Sequence, residues 1–259
     1  MKKITLAILM FLSVIGTINA STPSFVGHRG SLYGVENTRE AFVNGAERGY
    51  EYLECDLRLS ADSVLVLSHD ETTNRLGGSL TVAEATYEQL CAETYTQTRN
   101  GETYTGQIAT IDEFLDICCE YGVVPVIELK WSTGINNNDQ SCIPLLIAVL
   151  ELKGVRSDCV ILTSMRNCLE FIRNKYPDIP LQFLAKDDVE EHFDWVVDKE
   201  INVDVRHDCI NADLVKRFHD AGRTVNVWTV NDATQCEQLI EMGVDLITTD
   251  SISPEQFSK

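Results

Sequence analysis

Two histidines stand beside charged residues at the ends of short apolar segments. His28 closes the apolar segment 25–28 and is followed by Arg29, and His69 follows the segment 64–68 and precedes Asp70. Histidine is the side chain whose ordinary pKa lies nearest neutrality, so a pair of histidines can act as general base and general acid. His28 and His69 are therefore candidate catalytic residues.

Carboxylates interrupt two other apolar segments. Glu54 and Asp56 alternate along segment 52–59, and Glu128 and Lys130 alternate along segment 124–130. Side chains two positions apart on a strand share a face, so each pair points to one side. Burying such acids is costly unless they are paired or bind a cation. Three carboxylates meeting in one place would form an all-oxygen site suited to Mg²⁺ or Ca²⁺.

Together these residue types suit the cleavage of a phosphodiester. A divalent cation polarises phosphoryl oxygens, and Arg29 and Lys130 can offset the charge of the phosphate. His28 and His69 would then transfer the protons. The hypothesis requires a fold that brings all of these side chains to one place.

The rest of the chain repeats one pattern, an amphipathic stretch, a glycine and a short β-rich apolar segment. Glycines that can close a helix precede five of these segments, and Thr110 with Glu113 has the spacing of a helix-initiating capping box. Strands that alternate with helices indicate parallel βαβ units. Nine strands are predicted, at 25–28, 52–59, 64–68, 124–130, 159–163, 181–184, 203–205, 225–230 and 246–248.

The spacing of these strands predicts a closed barrel. Only residues 60–63 separate the second strand from the third, too few for a parallel crossover, so segment 64–68 should return antiparallel as a hairpin arm. Eight parallel strands remain, and eight βα units in about 250 residues are typical of an α/β protein of the (β/α)8 TIM-barrel type. Its active site would lie at the carboxyl ends of the strands. Residues 71–107 lack the repeat and are expected to form an elaborated loop or small insertion in a single domain, 21–259.

Residues 1–20 have the pattern of a secretory signal peptide. Lys2 and Lys3 precede the apolar run 4–15, and Ala20 is a small residue suited to cleavage. We therefore expect export, to the periplasm or the medium, without a stable membrane anchor. The formal charge of −19 would become two units more negative after cleavage, which argues against nucleic-acid or anionic-membrane partners. The nine cysteines, in an exported chain, allow one or two disulfides.

The sequence also resembles a known family, the glycerophosphodiester phosphodiesterases, a barrel family related to phosphatidylinositol-type phospholipases C. The resemblance extends in order from Val26 to Asp250, with one departure at Val35, where the family usually has proline. The matching segments are VGHRGSLYGVENTREAF, YLECDLRLSADSVLVLSHDETTNRLGG, GQIATIDEFL, VIELK, VNVWTVND and GVDLITTD.

The resemblance implies a role for each candidate. His28 and His69 would be the catalytic pair, and Glu54, Asp56 and Glu128 would bind a divalent cation, Mg²⁺ or Ca²⁺. Arg29 and Lys130 would contact the phosphate, and Trp228 would line the glycerol or head-group pocket. The expected reaction converts a glycerophosphodiester, a small-molecule substrate, to glycerol 3-phosphate and an alcohol.

Two other functions stay open from the sequence. One is a phosphodiesterase for a larger lipid head group, with phospholipase C-like or D-like chemistry. The other is a secreted barrel that binds a phosphodiester without turnover. Structural roles are expected for His192, His207 and His219. Glu36 and Asn37 are expected to belong to a hydrogen-bonded loop that starts the next helix.

Overall fold

The structure, a computed structural model, describes residues 22–257. The predicted signal peptide, 1–20, lies outside the described residues. The strands are β1 (Ser24–Gly27), β2 (Tyr52–Leu59), β3 (Leu65–Leu67), β4 (Tyr95–Arg99), β5 (Glu102–Gly106), β6 (Val124–Leu129), β7 (Val160–Thr163), β8 (Leu181–Ala185), β9 (Asn202–Arg206), β10 (Val225–Trp228) and β11 (Leu246–Thr249). The helices are α1 (Arg39–Glu47), α2 (Tyr87–Cys91), α3 (Ile111–Tyr121), α4 (Ile143–Lys153), α5 (Arg166–Lys175), α6 (Phe193–Asp198), α7 (Ala212–Asp220) and α8 (Ala233–Met242).

Eight parallel strands close into a barrel, as predicted. The ring runs β1–β2–β6–β7–β8–β9–β10–β11 and returns to β1 through the pairing of β1 with β11. The predicted hairpin is also confirmed, since β3 pairs antiparallel with the last three residues of β2. Because parallel barrel strands end at one rim, residues that follow them converge there.

Local signals start and stop the helices around this barrel. Thr110 and Glu113 form the predicted capping box at the start of α3. The side chain of Asn211 accepts a hydrogen bond from the backbone N–H of Leu214 at the start of α7. Gly122 ends α3 in the left-handed conformation with φ of +67°, which costs a glycine little. The apolar faces of the helices pack on the strands and form the main core.

The barrel interior is apolar on one side and polar on the other. Val26, Val126 and Leu162 form a small apolar cluster inside the ring. On the strands across from them, buried polar side chains line the interior: Gln182 on β8, Asp204 on β9, Asn226 on β10 and Thr248 on β11.

The insertion between β3 and α3 has regular structure that the sequence pattern does not predict. Two single-turn 3₁₀ helices, Asn74–Leu76 and Val82–Glu84, precede α2 and the β4–β5 hairpin. A separate apolar cluster that includes Val66, Leu90 and Tyr95 holds it on the barrel. The hairpin was not predicted because half of the residues of β4 and β5 are exposed and none of the ten is Val, Ile or Leu, so no apolar alternation marks the two strands.

Three details correct or complete the expectations. Lys130, placed inside a strand by its pattern, lies directly after β6. No disulfide joins any of the nine cysteines, all of which fall in the described residues, and five are buried among apolar side chains. Within residues 22–257, no helix combines the length and apolarity that crossing a membrane requires.

Candidate active site

A cavity of about 570 Å³ opens at the carboxyl ends of the barrel strands. Seven of the eight candidate site residues line it; Asp56 is fully buried directly beneath. The cavity is lined by His28, Arg29, Glu54, His69, Glu128, Leu129, Lys130, Trp131, Leu162, Thr163, Ser164, Met165, Leu184, Lys186, Asp204, Trp228, Thr229 and Thr248.

His28 leaves the end of β1 and pairs with an aspartate from the other end of the chain. Its Nδ1 lies 2.8 Å from Oδ1 of Asp250, the residue that follows β11. Asn231 donates a hydrogen bond to the other carboxylate oxygen of Asp250, and Arg99 of β4 approaches Oδ1 at 3.3 Å. Burial alone would raise the pKa of Asp250, but these partners lower it to about 2. The carboxylate is therefore ionised at neutral pH and can orient the imidazole.

His69 follows β3 and pairs with its own neighbour. Its Nδ1 lies 2.7 Å from Oδ1 of Asp70, and Arg75 donates to Oδ2 of Asp70 at 2.6 Å. Arg58 fixes the backbone here, because its guanidinium donates hydrogen bonds to the carbonyls of Ser68 and His69. Burial lowers the pKa of His69 more than Asp56 raises it. Each histidine thus has a carboxylate on Nδ1, which leaves Nε2 for proton transfer.

Glu54, Asp56 and Glu128 form the acidic cluster, since one oxygen of each lies within 4.8 Å of the others. Strands β2 and β6 bring them together in register, with Asp56 opposite Glu128. Burial raises the pKa of Glu54, and the charges of Asp56 and Glu128 raise it further. Although burial opposes it, Lys130 and Arg29 hold the pKa of Asp56 well below its usual range. The three carboxylates are therefore buried and repel one another, and Arg29 and Lys130 offset only part of their negative charge.

The unsatisfied oxygens of this cluster fit a divalent cation. Oε1 of Glu54 is fully buried and accepts no hydrogen bond in the described part of the chain, and the equally buried Oδ1 of Asp56 has the ammonium group of Lys130 at 3.1 Å. A buried carboxylate oxygen without a partner is costly. The donor set is all oxygen, which hard cations such as Mg²⁺ and Ca²⁺ prefer. The residues present are thus suited to hold such an ion.

Arg29 and Lys130 place positive charge around the cluster. Nε of Arg29 lies 3.2 Å from Asp56, and its backbone N–H donates to Glu54 at 2.8 Å. Nζ of Lys130 lies 3.1 Å from Asp56 and 2.7 Å from Glu128. Arg29 adopts a left-handed φ of +53°, uncommon for a residue with a side chain. This conformation directs its N–H toward Glu54.

Two loop residues matter more to the site than the sequence indicated. Nδ2 of Asn37 donates to Asp56 at 2.7 Å, and the backbone N–H of Asp56 donates to Oδ1 of Asn37 at 3.1 Å. Glu36 accepts hydrogen bonds from Arg29 and Arg75. Burial would raise the pKa of Glu36, but these partners lower it to about 2. The loop is hydrogen-bonded, as expected, but its bonds go to the predicted site residues.

The remaining tryptophan and histidines that the sequence analysis named lie partly where it placed them. Trp228 lines the cavity, and its indole N–H donates to the carbonyl oxygen of Asp204 at 3.3 Å. His192, His207 and His219 do not line it; they contact Asp188, Gln235 and Asp245 respectively. Sequence reasoning missed the roles of Asp250, Arg75, Arg99 and Asp204. A signal existed for Asp250, which closes the last barrel strand.

The strand ends of this α/β barrel combine acid–base groups, clustered carboxylates and cationic side chains. This combination is typical of a hydrolase that acts on an anionic substrate. Comparison with known proteins makes this specific. The model of the glycerophosphoryl diester phosphodiesterase family matches residues 27–253. The chain belongs to this family and is a phosphodiester-hydrolysing enzyme.

A similar protein agrees with this placement, and two solved structures share the fold. A glycerophosphodiester phosphodiesterase of Caldanaerobacter subterraneus subsp. tengcongensis is 27% identical over 230 residues, which is 87% of this chain and 93% of that protein. An Oleispira antarctica phosphodiesterase, solved with the product sn-glycerol-3-phosphate, superposes with a TM-score of 0.79 at 19% identity, covering 91% of this chain and 95% of that one. A Parabacteroides distasonis glycerophosphodiester phosphodiesterase gives a TM-score of 0.71 at 22% identity, with the same coverages.

Proposed function

We propose that this enzyme hydrolyses glycerophosphodiesters to glycerol 3-phosphate and an alcohol, with a divalent cation and two histidines. One observation carries the proposal: His28 and His69, each paired with an aspartate, line a single cavity beside a three-carboxylate cluster. Glycerol 3-phosphate as the product is supported by the Oleispira antarctica structure, which contains that molecule.

Glu54, Asp56 and Glu128 would hold the cation, and Arg29 and Lys130 would bind the phosphate. When bound, the cation supplies Lewis-acid stabilisation of the phosphoryl oxygens. Arg29 and Lys130 offer donors next to this cluster, and a phosphate would exchange their contacts with Asp56 for contacts with its own oxygens. Charge that develops on the phosphoryl oxygens is thereby met by cationic groups that already lie beside the cluster.

The histidines transfer the protons. One takes the proton of the nucleophile, and the other gives a proton to the oxygen of the departing alcohol. The nucleophile is either water or the glycerol hydroxyl next to the phosphate. Attack by the hydroxyl would gain from its proximity and would release the alcohol with formation of a cyclic phosphate, which water would then open to the glycerol phosphate. Asp70 and Asp250 keep the proton of each ring on Nδ1 and stabilise each imidazolium as it forms.

The test is hydrolysis of a panel of glycerophosphodiesters by purified protein, with and without a chelator. We expect EDTA to abolish hydrolysis and Mg²⁺ or Ca²⁺ to restore it. Glu54→Gln, Asp56→Asn and Glu128→Gln should each weaken cation binding in calorimetry while the fold is retained. Asp220→Asn, which removes an exposed carboxylate on α7, is the matched control. Full turnover by metal-stripped protein would refute the requirement for a cation. Binding of a phosphodiester without turnover would favour a binding protein over an enzyme.

Export also belongs to the proposal, and it rests on the pattern of residues 1–20 alone. A mature chain that begins at Ser21, found by N-terminal sequencing of protein from the periplasm or medium, is the expected result. An unprocessed chain retained in the cytoplasm would contradict it.

A further inference from the structure

The floor of the cavity holds a buried carboxyl group that the proposed mechanism does not use. Asp204 lines the cavity from β9, yet only 3% of the residue is exposed. Its Oδ1 is fully buried and has no hydrogen-bond partner among residues 22–257. Unpartnered buried carboxyl oxygens are rare, because their desolvation is not repaid. This group therefore needs an external partner to be satisfied.

The other polar side chains of the barrel interior do not share this property. Asn226 and Thr248 hydrogen-bond to each other, at 3.0 and 3.2 Å. Gln182 has an unpartnered oxygen, but it does not line the cavity. Of these four interior residues, Asp204 is the one that both lines the cavity and has a carboxyl oxygen without a hydrogen-bond partner.

The position of Asp204 indicates which part of the substrate it meets. Strand β9 stands four places from β2 in either direction around the eight-stranded ring, so Asp204 faces the acidic cluster from across the barrel. A substrate whose phosphate lies at Arg29 and Lys130 would reach Asp204 with one of its two ends. The closed floor suits the glycerol, which is common to all these substrates. The exposed side chain of Trp131 marks the opposite, open end, where alcohols of different size fit.

The surroundings favour a neutral hydroxyl as the ligand. Leu162 and Leu184 also line the cavity, and Leu184 is the partner of Asp204 in the β8–β9 register. Burial, together with the charge of Glu128, raises the pKa of Asp204 well above its usual range. A protonated carboxyl both donates and accepts a hydrogen bond, which matches an alcohol group.

We propose that Asp204 hydrogen-bonds to the terminal hydroxyl of the substrate's glycerol and thereby selects glycerophosphodiesters over diesters that lack this hydroxyl. The inference rests on the proposed function. It assigns a specificity-determining residue on the strand opposite the phosphate site, outside the groups that carry out the reaction.

Two substrates separate this role from a general loss of activity. Glycerophosphocholine carries the terminal hydroxyl. The phosphocholine ester of propane-1,2-diol lacks it, but keeps the hydroxyl next to the phosphate. We expect Asp204→Leu to lower kcat/KM for glycerophosphocholine by about 10- to 100-fold and to leave the propanediol ester within about threefold of its original value. Asp204→Asn, whose amide still donates and accepts, should retain most of the preference.

Gln182→Leu is the matched control, because it removes a buried polar side chain of the same interior without touching the cavity. It should leave the ratio of the two kcat/KM values unchanged. Asp204→Leu should melt at or above the temperature of the unaltered protein, since an unpartnered carboxyl is removed. If the leucine variant does not fold, Asp204→Val serves the same test.

Equal losses on both substrates, or no loss on either, would overturn the role of Asp204. Failure of the unaltered enzyme to hydrolyse glycerophosphocholine would instead refute the proposed function, so the two failures are distinguishable.

Discussion

The two histidine–aspartate pairs look alike locally but depend on different parts of the molecule. His28 and Asp250 are 222 residues apart, and they meet because β11 closes the barrel against β1. His69 and Asp70 are adjacent in sequence, and nearby Arg75 supports them. The His28 pair is also less exposed: its side chains are 18% and 23% exposed, against 34% and 35% for the other pair. One pair is thus a product of barrel closure and the other of a local turn.

The largest expected effect is the loss of either histidine. If one ring takes a proton and the other gives one, His28→Ala and His69→Ala should each lower kcat by about 10²- to 10⁴-fold. The double variant should be little worse than either single variant, because the two act in one step. Steady-state kinetics on glycerophosphocholine measures this.

His219→Ala is the control, since His219 contacts Asp245 away from the cavity. Strictly additive losses, or near-normal turnover without His69, would show that the roles are assigned wrongly.

The second-largest expected effect distinguishes the His28–Asp250 pair from the His69–Asp70 pair. Asp250→Asn should lower kcat by about 100-fold and Asp70→Asn by about tenfold, as expected for groups that orient a reacting side chain. The difference follows from burial, because water can replace a hydrogen bond to His69 more easily than one to His28. Measurement of kcat against pH should show a displaced histidine limb in both variants. Equal losses of kcat would mean that Asp250, brought in by barrel closure, orients His28 no more strongly than Asp70 in the local turn orients His69.

These pairs also show what the sequence could reveal. Glu54, Asp56 and Glu128 were predictable, because alternation on a strand fixes the face of each residue, whereas Lys130 lies just after the strand to which the pattern assigned it. Asp70 was visible as a neighbour of His69. The partnership of His28 with Asp250 was missed, because no local spacing links two residues 222 positions apart and only the closure of the barrel brings β1 beside β11. Arg99 was hidden for a further reason: it belongs to β4, whose exposed polar residues carry no apolar period.

The smallest expected effect concerns stability in acid. The pKa of Asp250 is about 2 in the folded protein, below the value of about 3.9 for an unfolded aspartate, so its ionised form stabilises the fold above pH 4. This contribution, roughly 2 kcal/mol above pH 5, should fall by about half at pH 3 as protons bind the unfolded chain first. Urea unfolding between pH 6 and pH 3 should therefore show a shallower decline for Asp250→Asn.

Asp70→Asn provides the comparison. The pKa of Asp70 is lowered too, by His69 and Arg75 against a burial effect that raises it, but the group is more exposed. Its replacement should change the pH dependence less than that of Asp250. The reverse order would show that the local pair contributes more to the fold than the pair formed by barrel closure.

The measurement that tests the central claim most directly is phosphorus NMR of glycerophosphocholine hydrolysis by protein supplied with Mg²⁺ or Ca²⁺. A cation at the three carboxylates, a phosphate at Arg29 and Lys130 and proton transfer by the two histidines predict glycerol 3-phosphate as the final phosphorus-containing product, and no turnover after metal removal. Phosphocholine as the product would mean that the opposite ester bond is cut, and it would contradict the account.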